Sequence, residues 1–158
     1  MPIWIEPAAD GGTPMAEAFS EAAQLAQLWI QENPDNISPI VINITDGEPN
    51  DMGAAEQAAQ SLQDLQTTDG HLLLLNAHIA SNGGQEFRLP GTEPDAAGDF
   101  GRFIFRNSST LPQPLRIAAQ NAGFAPAQAA RGCVFNAGAE TLTKLIVFGS
   151  TPMVGGVR

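Results

Sequence analysis

Apolar positions in the chain alternate between helical stripes and short strand-like runs. Met15, Phe19, Ala22, Ala26 and Trp29 recur at threes and fours, which predicts a helix from Pro14 to about Glu32 with this face packed on a sheet. Thr13 is placed to cap that helix. Pro14 suits its first position, where the missing N–H costs no hydrogen bond. Asn33-Pro34-Asp35-Asn36 ends it. The run Ile40–Thr45 is rich in β-branched apolar residues and predicts a strand buried on both faces. Asp51 then caps a second helix, about Met52 to Gln66, with Ala55, Ala58, Leu62 and Leu65 inward. Thr67-Thr68-Asp69-Gly70 turns the chain into a second buried strand, His71 to Ala80.

Residues 81–99 break the rhythm. Ser-Asn-Gly-Gly, Leu-Pro-Gly and Glu-Pro-Asp mark a long loop insertion. A short helix is expected over about Ala96 to Arg106, and another over Gln113 to Ala122, stopped by Gly123. Gly132–Asn136 predicts a third, brief strand, and Glu140–Phe148 a last helix. Residues 2–6 read as extended, and 150–158 as a flexible tail. Strand alternating with helix implies parallel strands joined by right-handed crossovers. The expected fold is therefore a single α/β domain, Rossmann-like and doubly wound, with a mainly parallel sheet flanked by helices.

Composition narrows the role. A net charge of −10, with seven scattered Lys and Arg, excludes a nucleic-acid partner, because phosphate binding needs clustered cations. A lone cysteine, Cys133, forms no internal disulfide and points to a reducing compartment. No basic-then-apolar leader is visible, and the run from His71 to Ala80 is far too short to span a membrane. A cytoplasmic location is expected.

The candidate chemistry sits where the first strand ends. Thr45-Asp46-Gly47 leaves a carboxylate at the strand's carboxyl end, the edge at which open α/β sheets bind ligands. Upstream, Gly11-Gly12-Thr13-Pro14 sets a hydroxyl at the mouth of the first helix. Together these segments resemble the von Willebrand factor A domain family, from about Gly11 to Phe148. In that family a threonine loop and a strand ending in Thr-Asp-Gly supply ligands to one Mg2+ or Mn2+, the metal-ion-dependent adhesion site. The resemblance implies metal ligation by Thr13 and Asp46, with Gly12, Gly47, Glu48 and Asp51 as a ligand surface. It also implies a non-enzymatic protein–protein interaction role, in which a partner's carboxylate completes the cation's coordination.

One family motif does not match. The family's Asp-x-Ser-x-Ser belongs at the end of a strand well before the threonine loop, and only ten residues precede Gly11. No aspartate fits it: Asp35 is followed at alternate positions by Ile37 and Pro39, Asp46 by Glu48 and Asn50, Asp99 by Gly101 and Phe103. The chain resembles the carboxyl-terminal part of such a domain, so its cation site is expected to be incomplete. The missing strand is the family's neighbour to the one that carries Asp46, which leaves Ile40–Thr45 open on one side. The expected partner is a chain bearing the missing half or a second copy of this one, and a stable monomer is not expected.

Simpler roles compete at each residue. Thr13 also serves as a plain helix cap, Asp46-Gly47 as a plain turn, Asp51 as the second helix's cap and Glu48 as a solvated acid. The loop acids Glu86, Glu93, Asp95 and Asp99 match no calcium loop. Two alternatives to the binding role remain: a hydrolase with Cys133 as nucleophile and His71 or His78 as base, and a structural remnant without metal. No Gly-x-Ser-x-Gly, phosphate loop or zinc spacing supports catalysis.

Overall fold

A computed structural model describes residues 11–79 and 84–150. The sequence expectations for residues 2–6 and for the tail beyond Ser150 fall outside these residues. The elements run α1 (Met15–Glu32), β1 (Ile40–Thr45), α2 (Met52–Gln63), β2 (Gln66–Thr67), β3 (Gly70–His71), β4 (Leu73–Ile79), β5 (Phe87–Arg88), α3 (Gly98–Arg106), α4 (Gln113–Asn121), β6 (Cys133–Ala137) and α5 (Ala139–Gly149). The main sheet has the order β1-β4-β6-β5, with β1, β4 and β6 parallel and β5 antiparallel to β6. It is an α/β fold whose mostly parallel mixed sheet is flanked by helices, compatible with a Rossmann-like architecture.

Alternation along β4 builds both cores. Leu72 and Leu74 point into a cluster with Met15, Phe19, Ala55, Leu62, Phe103 and Ile104 of α1, α2 and α3. Leu73, Leu75 and Ala77 point the other way, toward Leu115, Ala119, Leu145 and Phe148 of α4 and α5. A strand covered on both faces reads as an unbroken apolar run, as Leu72–Leu75 does. Asp51 caps α2 as expected, its side chain accepting from the Ala54 N–H at 2.9 Å. Gly123, at φ +89°, ends the α4 segment.

Several expectations are corrected. Ile40–Thr45 is a strand with the expected bounds, but it is half-buried rather than buried on both faces, because β4 is its only strand partner among the described residues. Its Ile44 is 44% exposed. Trp29 does not face the core: it is 40% exposed, beside Leu25 at 70% and Leu28 at 61%. The apolar stripe of α1 is wider than the sheet beneath it, so its outer margin meets no layer among the described residues. In α2 the tightly buried positions are Ala55, Ala59 and Leu62, while Ala58 and Leu65 are half-buried. His71 belongs to a two-residue hairpin with Gln66–Thr67, not to β4. Within 81–99 the described residues include β5 and a short 3-10 turn, Asp95–Ala97, that leads into α3.

Candidate functional site at the carboxyl ends of the strands

Thr13, Asp46, His78 and Asn136 collect at one rim, because β1, β4 and β6 run parallel and end together. The turn after β1 is built by its own threonine. The Thr45 hydroxyl donates to the Gly47 carbonyl at 2.8 Å and accepts from the Gly47 N–H at 3.2 Å. This leaves Asp46 and Glu48 exposed at the tip.

The threonine loop packs directly on this turn. A Cβ at Gly47 would lie 2.8 Å from the Thr13 hydroxyl, so only glycine lets the two loops approach this closely. Thr13 is not a helix cap: Pro14 occupies that position, without a side-chain hydrogen bond. Asn50 locks the arrangement. Its side-chain oxygen accepts from the Thr13 N–H at 2.8 Å, and its own N–H donates to the Thr13 carbonyl at 3.1 Å. Gly12, at φ +86°, lies against the same side chain, where a Cβ would come 2.7 Å from the Asn50 oxygen. The six residues expected at the site, Gly12, Thr13, Asp46, Gly47, Glu48 and Asp51, thus lie on two adjoining loops. Asp51 spends its carboxylate on the α2 cap.

Sequence reasoning missed three members. Asn50 looks like any polar loop residue, and Thr45, though part of the Thr-Asp-Gly motif, gives no sign in the sequence that its hydroxyl builds the turn. Asn136 sits in β6 with φ +54°, next to a register shift between Ala77 and Ile79. Asn tolerates this left-handed conformation better than most residues. The irregularity aims the Asn136 N–H at Nδ1 of His78 at 3.3 Å, and the Asn136 amide at the Gln85 carbonyl at 3.0 Å.

His78 is half-buried, stacked on Phe135 at 4.4 Å and edge-on to Phe100 at 5.2 Å. Burial lowers its pKa, opposed by the Asn136 contact and by the carboxylates of Asp46 and Glu48. Folded His78 therefore binds fewer protons than unfolded His78 in the window just below the ordinary value of 6.5. Stability is expected to be full above that value and to fall as the pH drops from it toward the lower folded pKa. Urea unfolding at a series of pH values reads this slope, and His78→Phe should flatten it. An unchanged slope in that variant would exclude His78 as its source.

The other candidates separate from the rim. Glu86 pairs with Arg88, Glu93 grips Arg106 through two bonds of 2.7 and 2.8 Å, and Asp99 meets Arg102 at 2.7 Å. Three of the four loop acids are thus engaged by arginines. Cys133 is 3% exposed, and burial pushes its thiol up to about 12. That is the environment of a core thiol, not of an activated nucleophile.

Thr13 and Asp46 offer hard oxygens of the kind Mg2+ prefers, which would be two of the six it coordinates. Among the described residues no group of three or more His, Cys, Asp or Glu is placed to hold a metal ion. Two oxygens fall short of the six that such an ion coordinates. No helix of the described residues is long and apolar enough to cross a membrane. No family model matches the chain, and neither the curated proteins nor the solved structures compared with it give a match.

Proposed function

We propose that this chain is a non-enzymatic protein–protein interaction module of the von Willebrand factor A type, carrying part of a metal-ion-dependent adhesion site. The observation that carries the reading is the close approach of the Thr13 hydroxyl to Gly47, where a Cβ would lie 2.8 Å from it, which sets a threonine loop against an Asp-Gly turn at the strand end. A plain turn and a plain cap need no such contact. In this reading Thr13 and Asp46 form part of a Mg2+ or Mn2+ site, and Gly12, Gly47 and Glu48 rim the ligand surface. The other ligands come from a second polypeptide, either a chain bearing the missing half or another copy. The setting is cytoplasmic.

Two oxygens and water hold a divalent cation only weakly, so the test has to report position rather than affinity. Mn2+ added to the isotope-labelled chain is expected to broaden the amide signals of Thr13, Asp46 and Gly47 first. Asp46→Ala should abolish that selectivity. Broadening spread evenly over the exposed acids, or unchanged in Asp46→Ala, would reduce the pair to a turn and a loop and leave the remnant reading standing.

A further inference from the structure

The groove between α1 and β1 is an open apolar trough of about 490 Å³, lined by Ala22, Leu25, Trp29, Ile37, Ile40 and Val41. Among the described residues its floor is the open edge of the sheet. The Leu73 N–H donates to the Pro39 carbonyl at 3.1 Å, and Ile40 pairs with Leu73 in register. In a parallel ladder this turns the backbone groups of Pro39, Val41 and Asn43 toward β4 and those of Ile40, Ile42 and Ile44 away from the sheet. The strand Ile-Val-Ile-Asn-Ile-Thr carries no charge and no proline, the usual guards of an edge.

Charge identifies the occupant. All seven Lys and Arg lie at or beyond Arg88, so they are scattered only within the second half of the chain. Thirteen of the 17 acidic residues precede Arg88, in the part that builds α1, β1 and α2. The trough follows that distribution. α1 runs antiparallel to β1, since Thr13 abuts Gly47 at one end and residues 33–39 join the two at the other. Exposed Glu32 and Asp35, between Trp29 and Ile37 in the chain, form an acidic mouth at one end of this edge, and exposed Asp46 and Glu48, just beyond the carboxyl end of β1, an acidic mouth at the other.

We infer that the α1–β1 trough binds an extended segment of a different polypeptide, apolar in its middle and bearing Lys or Arg at both ends, which adds as a strand to β1. The segment's backbone takes the outward groups of Ile40, Ile42 and Ile44, its apolar side chains cover Leu25 and Trp29, and its cations meet the two acidic mouths. A second copy is the poorer occupant: pairing β1 with β1 across a two-fold axis sets acidic mouth against acidic mouth. The inference rests on the edge and the charge distribution, and no metal ion takes part. It therefore stands or fails separately from the metal reading.

The test uses the full chain and two fluorescein-labelled synthetic peptides. Both share a Val-Thr-Val-Thr-Val core, and two lysines flank it in one and two glutamates in the other. Fluorescence anisotropy should show saturable binding of the lysine peptide, at least tenfold weaker binding of the glutamate peptide, and loss of affinity as salt is raised. Ile44→Pro, which removes an outward N–H, should weaken binding at least tenfold. Trp29→Ser, at an exposed helix position that leaves the core intact, should do the same if Ile44→Pro fails to fold. Four results would overturn the inference: no binding, equal binding of both peptides, binding untouched by Trp29→Ser, or binding that appears only after deletion of residues 1–10. So would self-association through β1, seen by sedimentation as dimers that Trp29→Ser dissolves.

Discussion

Replacing Asn76 with leucine should cost about 3 kcal/mol of folding stability, because it strands the polar groups gathered on that side chain in the core. Asn76 is 1% exposed in the middle of β4. Its amide nitrogen donates to the Asn107 carbonyl at 3.1 Å and to the Ser108 hydroxyl at 2.9 Å. Its oxygen accepts from the Asn43 amide of β1 at 2.9 Å. One side chain thus joins the edge strand, the central strand and the end of α3. Each buried group left without a partner costs about 1–3 kcal/mol, partly offset here because Ser108 keeps its bond to the Ile104 carbonyl and the Asn107 carbonyl keeps Gln63. For a domain of this size the loss corresponds to a fall in Tm of about 6–12 °C. Chemical denaturation and a thermal scan both measure it. A change under about 1 kcal/mol would mean that the network contributes little beyond its packing.

The Asn76 network also bears on function. Among the described residues β1 is held to the rest of the sheet along one side, so the groups that anchor it position Asp46 and the outward edge together. Asn43 faces inward, toward Asn76, and its alternate neighbours Ile42 and Ile44 turn their backbone groups outward. A weakened anchor should therefore loosen both candidate surfaces.

Legibility in the sequence followed local physics. The bounds of β1 and the cap of α2 were readable because β-branched runs and Asp caps act through their own backbone. The buried Leu72–Leu75 run was readable because helices cover both faces of β4. Trp29 was misplaced because helical spacing records only that a position lies on the apolar stripe, not whether a layer lies opposite. The bulge at Asn136 and the clamp at Asn50 left no signal. Both depend on contacts 37 or more residues away, and a polar residue in a loop looks the same with or without them. Thr13 and Asp46 were legible as separate motifs. Their meeting across Gly47 was not, because it follows from how α1 lies on the sheet. The gathering of cations beyond Arg88 stands in the sequence, but it gains meaning only once β1 is known to be an edge.

That edge is the centre of the account, and amide hydrogen exchange along β1 tests it most directly. In the chain alone, the amides of Val41 and Asn43 face β4 and should exchange only through large-scale opening. The amides of Ile42 and Ile44 face outward and should exchange at least about a thousandfold faster, since a domain stable by some 5 kcal/mol protects its inner amides by that factor or more. Addition of the lysine-flanked peptide should slow Ile42 and Ile44 and leave Val41 and Asn43 unchanged. Equal protection of all four amides in the chain alone, at concentrations where it sediments as a monomer, would show that the edge is already covered and would contradict the account.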